Sequence, residues 1–167
     1  MRGDGALACG KGCWTMLEAQ LLRNERAPID VTVGAVTGEQ GKFLRQIQPC
    51  GEDLKGRGVD WNYHTDNPSI RLIDEQPDHG CDLCSRYRRR AVYQIVRGLG
   101  ANVIAFGHTA DDFCESCLRN ALCTGRIRGL PPLHSSSQRV FLLIRPLGFV
   151  QHATTTSSSA AFGPPAL

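Results

Sequence analysis

Apolar positions along the chain change period several times, and each change predicts an element. Trp14, Leu17, Leu21 and Leu22 recur at helical spacing, which predicts an amphipathic helix over 14–25 closed by Pro28. Before it, residues 4–9 are mostly small or apolar, as at the end of a strand, and a Gly/Cys/Lys turn fills 9–13. Ile29, Val31, Val33 and Ala35 alternate as a strand over about 29–36, with Gly34 as its weak point. Phe43, Leu44, Ile47 and Leu54 suggest one or two helical turns, interrupted near Pro49 and Gly51. Val59, Trp61 and Tyr63 alternate as the next strand.

Residues 66–80, with Pro68, Pro77 and Gly80, read as a loop. Tyr87, Ala91, Val92, Ile95, Val96 and Leu99 mark a helix ending at Gly100. The short apolar run 102–106 reads as a buried parallel strand. A helix carrying Phe113, Cys117 and Leu118 follows Asp111-Asp112, then a loop from Gly125 to Pro132 and a last strand over 140–144. Strands alternating with helices predict an α/β fold, an open parallel sheet flanked by helices, over residues 1–150. Residues 151–167 carry no charge and are rich in Ser, Thr and Ala, which predicts a disordered tail.

Composition adds a charge asymmetry. The net charge is +3. Residues 1–85 hold 9 basic and 13 acidic groups, whereas residues 86–145 hold 10 basic groups, all arginine, and 3 acidic ones. Such a patch suits a polyanion, with nucleic acid the natural candidate and a solvated basic face the plain alternative. No apolar run approaches the roughly 20 residues that span a bilayer. The first residues lack the apolar core of a secretory signal, so a cytoplasmic protein without membrane association is expected. The 8 cysteines then suggest metal binding or catalysis rather than a disulfide scaffold.

Four segments carry candidate chemistry. Cys81-Asp82-Leu83-Cys84 presents two thiols to one centre, and Arg86, Arg88, Arg89 and Arg90 follow directly. That pairs a metal or sulfur site with guanidinium forks suited to phosphate. Ala8-Cys9-Gly10-Lys11-Gly12-Cys13 lies between a strand and a helix, where backbone N–H groups welcome an anion, although an ordinary turn would look the same. Gly107-His108-Thr109-Ala110-Asp111-Asp112 follows a strand; its carboxylates suit either Mg²⁺ beside nucleotide phosphates or the capping of a helix. Cys114-Glu115-Ser116-Cys117 would complete a four-thiolate zinc site with Cys81 and Cys84, or simply sit on an apolar helix face.

In this order the segments resemble the PP-loop ATP pyrophosphatase superfamily and, within it, the tRNA 2-thiocytidine synthetase family. Cys81 to Arg89, Gly107 to Asp112, the loop Gly125-Arg126-Ile127-Arg128-Gly129-Leu130-Pro131-Pro132, and Ile144-Arg145-Pro146-Leu147 carry the match. The resemblance is to a divergent or truncated member. The family's Ser-Gly-Gly-x-Asp-Ser loop is represented only by Gly10 and Lys11, and no cysteine follows Cys123 to complete a three-cysteine cluster site.

What the resemblance implies is ATP-dependent tRNA thiolation on a Rossmann-like sheet of the adenine nucleotide alpha hydrolase type. ATP adenylates the C2 oxygen of a cytidine, and sulfur then displaces AMP. By the same resemblance Gly10, Lys11, His108 and Asp112 bind nucleotide, with Lys11, His108, Asp111 and Asp112 in catalytic roles. Cys81 and Cys84 would ligate a [4Fe-4S] cluster, Mg²⁺ would accompany ATP, and Arg86, Arg88, Arg89, Arg126 and Arg128 would contact tRNA. A cysteine desulfurase or another sulfur donor is the implied partner, and a homodimer is compatible with the pattern. Two alternatives stand beside this reading: a catalytically degenerate relative that binds tRNA or a partner, and a zinc-binding structural module built on the four thiolates of Cys81, Cys84, Cys114 and Cys117.

Overall fold

The computed structural model describes residues 4–6, 11–26, 28, 31–38, 44–65, 80–136 and 140–162. Its strands are β1 (Asp4–Ala6), β2 (Val33–Gly38), β3 (Asp60–His64), β4 (Val103–Ala105), β5 (Leu133–Ser135) and β6 (Leu142–Ile144). The helices are α1 (Lys11–Arg26), α2 (Leu44–Gly56), α3 (Gly80–Gly98), α4 (Ala110–Thr124) and α5 (His152–Phe162). The strands form one sheet in the order β3-β2-β1-β4-β6-β5, parallel except for the edge strand β5. The parallel α/β architecture expected from the alternation of elements is thus the observed one. The loop expected over 66–80 lies, up to residue 79, outside the described residues, as does the start of the glycine turn at 9–13. Among the described residues no helix is long and apolar enough to cross a membrane.

Alternate strand positions feed two cores. Ala35 and Ala105 face the side covered by α1 and α2, where Trp14, Met16, Leu17, Cys50 and Leu54 are buried. Val36, Ile104 and Leu143 face the opposite side, against Val92 and Val96 of α3. Small alanines on one face let α1 lie close to the sheet, while β-branched and long side chains fill the other.

Four expectations are corrected. The interruption near Pro49 and Gly51 does not occur: α2 runs through both. Pro49 lies on the exposed side of the helix. A Cβ on Gly51 would come within 2.1 Å of the Trp61 ring, so this glycine is where β3 and α2 touch. Packing of Cys50 and Leu54 outweighs the lost backbone bond.

Next, α3 begins at Gly80, well before the apolar stripe that predicted it, and so contains the Cys/Arg segment. Third, β5 was hidden because all three of its residues are exposed and show no alternation; it is recognisable only by pairing with β6.

Last, residues 152–162 are not a disordered tail but helix α5, packed along α1. Thr155 and Ser159 are buried, and the Thr15 hydroxyl donates to the Thr155 carbonyl at 3.1 Å. Hydroxyls along α5 return to the preceding turn, as Thr155 Oγ1 does to His152 O at 2.8 Å. Small side chains let the two helices approach closely, so burial here needs no large apolar residue.

Candidate functional site

The strand order fixes where the candidate residues meet. From β1 the chain passes through α1 outward to β2; α3 later carries it back across β1 to β4. That reversal leaves a crevice beyond the carboxyl ends of β1 and β4, the place where open α/β sheets bind ligands. Helices α1 and α4 follow these two strands and begin at this edge.

Two glycines hold the crevice together. A Cβ on Gly12 would lie 2.5 Å from the Gly107 carbonyl oxygen, and a Cβ on Gly107 would lie 2.5 Å from the backbone nitrogen of Cys13. Backbone therefore meets backbone, and neither position has room for a side chain. The contact docks the first turn of α1, with its unspent N–H donors, against the segment that carries His108. Lys11 opens α1, but its side chain and the whole of Gly10 lie outside the described residues. His108 is half-buried and meets the Phe106 ring edge-on, with centroids 5.6 Å apart.

The two carboxylates of the Asp111-Asp112 pair go different ways. Asp112 Oδ2 accepts from the Thr109 N–H at 2.6 Å and from the Thr109 hydroxyl at 3.0 Å, the reciprocal half of a capping box. Asp111 Oδ2 accepts the N–H of His152, the first residue of α5, at 2.6 Å. The Ala110 N–H also reaches Val150 O at 2.9 Å, so the start of α4 is clasped to the start of α5. Both carboxylates thus make the helix-capping contacts that the sequence offered as one reading of this pair, each through Oδ2.

Cys81 and Cys84 occupy the first turn of α3, three residues apart and so on one helical face; their side chains lie outside the described residues. The packed part of α3 is its C-terminal half, around Val92 and Val96. Its N-terminal half, about 15 Å of helix, extends toward the carboxyl edge with Arg86, Arg89 and Arg90 exposed. The side chain of Arg88 lies outside the described residues. Arg126 and Arg128 are exposed in the loop after α4. Cys114 is exposed and Cys117 half-buried on α4. Among the described residues no group of three or more His, Cys, Asp or Glu side chains is placed to hold a metal ion.

Sequence reasoning passed over Arg145 except as part of a motif. It follows β6, lies with its guanidinium carbon 5.9 Å over the Phe106 ring, and donates through Nη1 to the Pro131 carbonyl. Burial and the neighbouring Arg89 charge both push its pKa down. The signal was available: an arginine directly after a buried parallel strand stands on the ligand edge of such a sheet.

No family model matches the chain. It is 37% identical over 158 residues to the tRNA-cytidine(32) 2-sulfurtransferase of Burkholderia cenocepacia, covering 90% of this chain and 47% of the relative. It is 34% identical over 160 residues to the enzyme of the same name from Deinococcus radiodurans, covering 91% of this chain and 52% of the relative. The chain thus spans about half the length of the curated relatives it matches.

Among solved structures, the U34-tRNA thiolase NcsA of Methanococcus maripaludis, described with its [4Fe-4S] cluster, superposes with a TM-score of 0.72 at 18% identity. That match covers 99% of this chain and 58% of the thiolase. A phosphoadenylyl-sulfate reductase from Candida auris superposes with a TM-score of 0.56 at 10% identity, covering 98% of this chain and 73% of the reductase. These two likenesses establish the fold. Over the half-length it shares with these sequence relatives, the chain is homologous to the tRNA-cytidine(32) 2-sulfurtransferases.

Proposed function

We propose that this chain is the nucleotide-binding half of a tRNA-thiolating enzyme, acting on a cytidine in a tRNA. The carrying observation is the backbone contact between Gly12 and Gly107, which joins a helix N-terminus to the His108 segment at the switch point of the sheet. The α1 N–H groups and Lys11 bind the phosphates of ATP. His108 sits beside them and donates to phosphate oxygen. The cytidine C2 oxygen attacks the α-phosphate, pyrophosphate leaves, and a sulfur nucleophile then displaces AMP at C2. Adenylation turns a poor oxygen leaving group into a good one, and fixed donors stabilise the phosphate charge that develops. Arg86, Arg88, Arg89, Arg126 and Arg128 hold the RNA backbone by charge-assisted hydrogen bonds.

The i, i+3 placement of Cys81 and Cys84 fits two thiolate ligands of an iron–sulfur cluster. Such a cluster, when bound, supplies a site for the sulfur that is transferred. Asp111 and Asp112 would hold Mg²⁺ through Oδ1, since the capping contacts use only Oδ2 of each, and the ion would neutralise phosphate charge on ATP. The eroded glycine loop, in which Ala8, Cys9, Gly12 and Cys13 replace the family's hydroxyls, one glycine and carboxylate, favours a second reading, a relative that binds tRNA without turnover.

Anaerobic ATP–pyrophosphate exchange in the presence of unmodified tRNA separates the two. The first reading expects exchange that depends on tRNA. Retained tRNA binding with no exchange would establish the second, and loss of both would end the tRNA assignment.

A further inference from the structure

We propose that Phe149, beside the arginine-bearing loop that follows α4, is a stacking platform for an unpaired base of the RNA, an inference that rests on the tRNA reading above. Phe149 is 97% exposed. The residues on either side of it are anchored: Leu147 is buried in the core that holds Trp14 and Leu17, and Val150 packs against the same core. Backbone hydrogen bonds close the turn between them. The Gly148 N–H donates to Arg145 O at 3.2 Å, the Val150 N–H to Leu147 O at 2.9 Å, and the Ala110 N–H to Val150 O at 2.9 Å. The turn follows β6 and touches the start of α4, so it stands at the carboxyl edge of the sheet, where ligands bind. A large aromatic residue held in water at that edge is an informative exposure, unlike a lone leucine on a helix.

The basic rim comes from the same place. A Cβ on Gly148 would lie 3.0 Å from the Phe113 ring, and a Cβ on Gly129 would lie 3.9 Å from the Phe113 carbonyl oxygen. Phe149 and Arg128 are therefore each next in the chain to a glycine seated on Phe113. The loop is fastened as firmly as the turn. The Gly125 N–H donates to Ala121 O at 3.1 Å, the Asn120 side chain to Arg128 O, and the Arg145 N–H to Pro132 O at 3.0 Å. Between these anchors Arg126, Ile127 and Arg128 are exposed. Residues 86–145 hold 3 acidic groups, and two of them, Asp111 and Asp112, make capping contacts. An aromatic ring in water beside guanidinium groups matches a single nucleic-acid strand, whose bases offer π-faces and whose backbone offers phosphates. A protein partner would have to bring acidic and apolar side chains separately to meet the same surface. Chemistry on the C2 of a cytidine also requires unstacking of the RNA at that point, and a stacking surface on the enzyme offsets the loss. Because turn and loop are both anchored, little ordering cost is left for binding.

The test measures binding of labelled, unmodified tRNA to the full chain by fluorescence anisotropy over a series of salt concentrations. Phe149→Ala should weaken binding about tenfold and leave the salt dependence unchanged, as expected for a lost stacking contact. Arg128→Ala should weaken binding and lower the salt slope by about one, as expected for a lost phosphate contact. Phe149→Trp should restore the affinity, and unlabelled tRNA should quench its fluorescence beyond any change that Trp14 and Trp61 show in the native chain. Unchanged affinity in Phe149→Ala overturns the platform. So does a native dimer that Phe149→Ala converts to monomers in light scattering, because the ring then belongs to a second copy. If Phe149→Ala fails to fold, the quenching in Phe149→Trp decides by itself, and its absence overturns the platform. Exchange activity with unchanged affinity in Phe149→Ala removes the platform and leaves the thiolation reading standing. Phe149-dependent tRNA binding without exchange does the reverse.

Discussion

Helices α1 and α4 begin side by side at the same edge of the sheet and are built in opposite ways. The first turn of α1 touches Gly107, and the helix buries Trp14, Met16 and Leu17 in the core shared with Cys50 and Leu54 of α2, with α5 packed alongside. No residue of α4 is buried, and Leu118 and Leu122 stand in solvent. What holds α4 is its ends: Thr109 with Asp112 at the start, and Gly125 in the left-handed region at the finish, with φ of 66°. The contrast separates two ways of presenting a ligand edge. One helix is a wall of the core that keeps its N-terminus in place; the other is pinned at its tips and leaves a long face uncovered.

The largest break in this comparison is a deletion at matched positions. Trp14→Ala should destabilise the chain by about 3–5 kcal/mol, whereas Leu122→Ala should stay within about 0.5 kcal/mol, both read by urea denaturation. Equal losses would mean that α4 is as much a part of the core as α1. Next in size is Gly107→Ala, whose methyl enters the backbone of α1. We expect a cost of about 1–3 kcal/mol together with weakened ATP binding, and normal binding by calorimetry would show that the two helix starts need not touch.

The smallest effect is a thiol contrast. Cys114 and Cys123 on α4 are exposed, whereas burial beside α1 pushes the Cys50 pKa up from its ordinary 9.0, with Asp53 adding to the rise. Iodoacetamide at pH 8 should therefore modify Cys114 and Cys123 first and spare Cys50. The sign of the linkage follows: the unfolded chain loses the Cys50 proton before the folded one does. The stability contributed by this group is present below about pH 9 and falls as pH rises toward the folded value. A denaturation midpoint whose decline above pH 9 is no steeper in the native chain than in Cys50→Ala would contradict this.

How far the sequence could be read follows the same division. Wherever a side chain is buried against the sheet, as with Trp14 and Leu17 or Val92 and Val96, its period announced the element. Where an element is fixed by backbone contact or by small residues, the period is silent: Gly51 under Trp61, the Gly12–Gly107 crossing and the Ser/Thr helix α5 all escaped it. The site divides likewise. The motifs placed His108 and the Asp pair beyond the carboxyl end of a strand, because their strand-then-helix context is local, whereas the helical start of the Cys/Arg segment escaped the apolar period. The partners chosen by the Asp pair were not legible, since His152 lies 41 residues beyond Asp111 and nothing in the intervening sequence points to it.

The seam between α1 and α5 also has a consequence for biosynthesis. Thr15 and Thr155 are 140 residues apart, so this contact closes a loop containing nearly the whole chain. Such closure adds high contact order to a parallel sheet that is already slow to pair. On the ribosome, the side of α1 that receives α5 stays bare until α5 itself emerges. Until then the nascent chain carries an unfinished surface that a chaperone, or another nascent chain, can meet first.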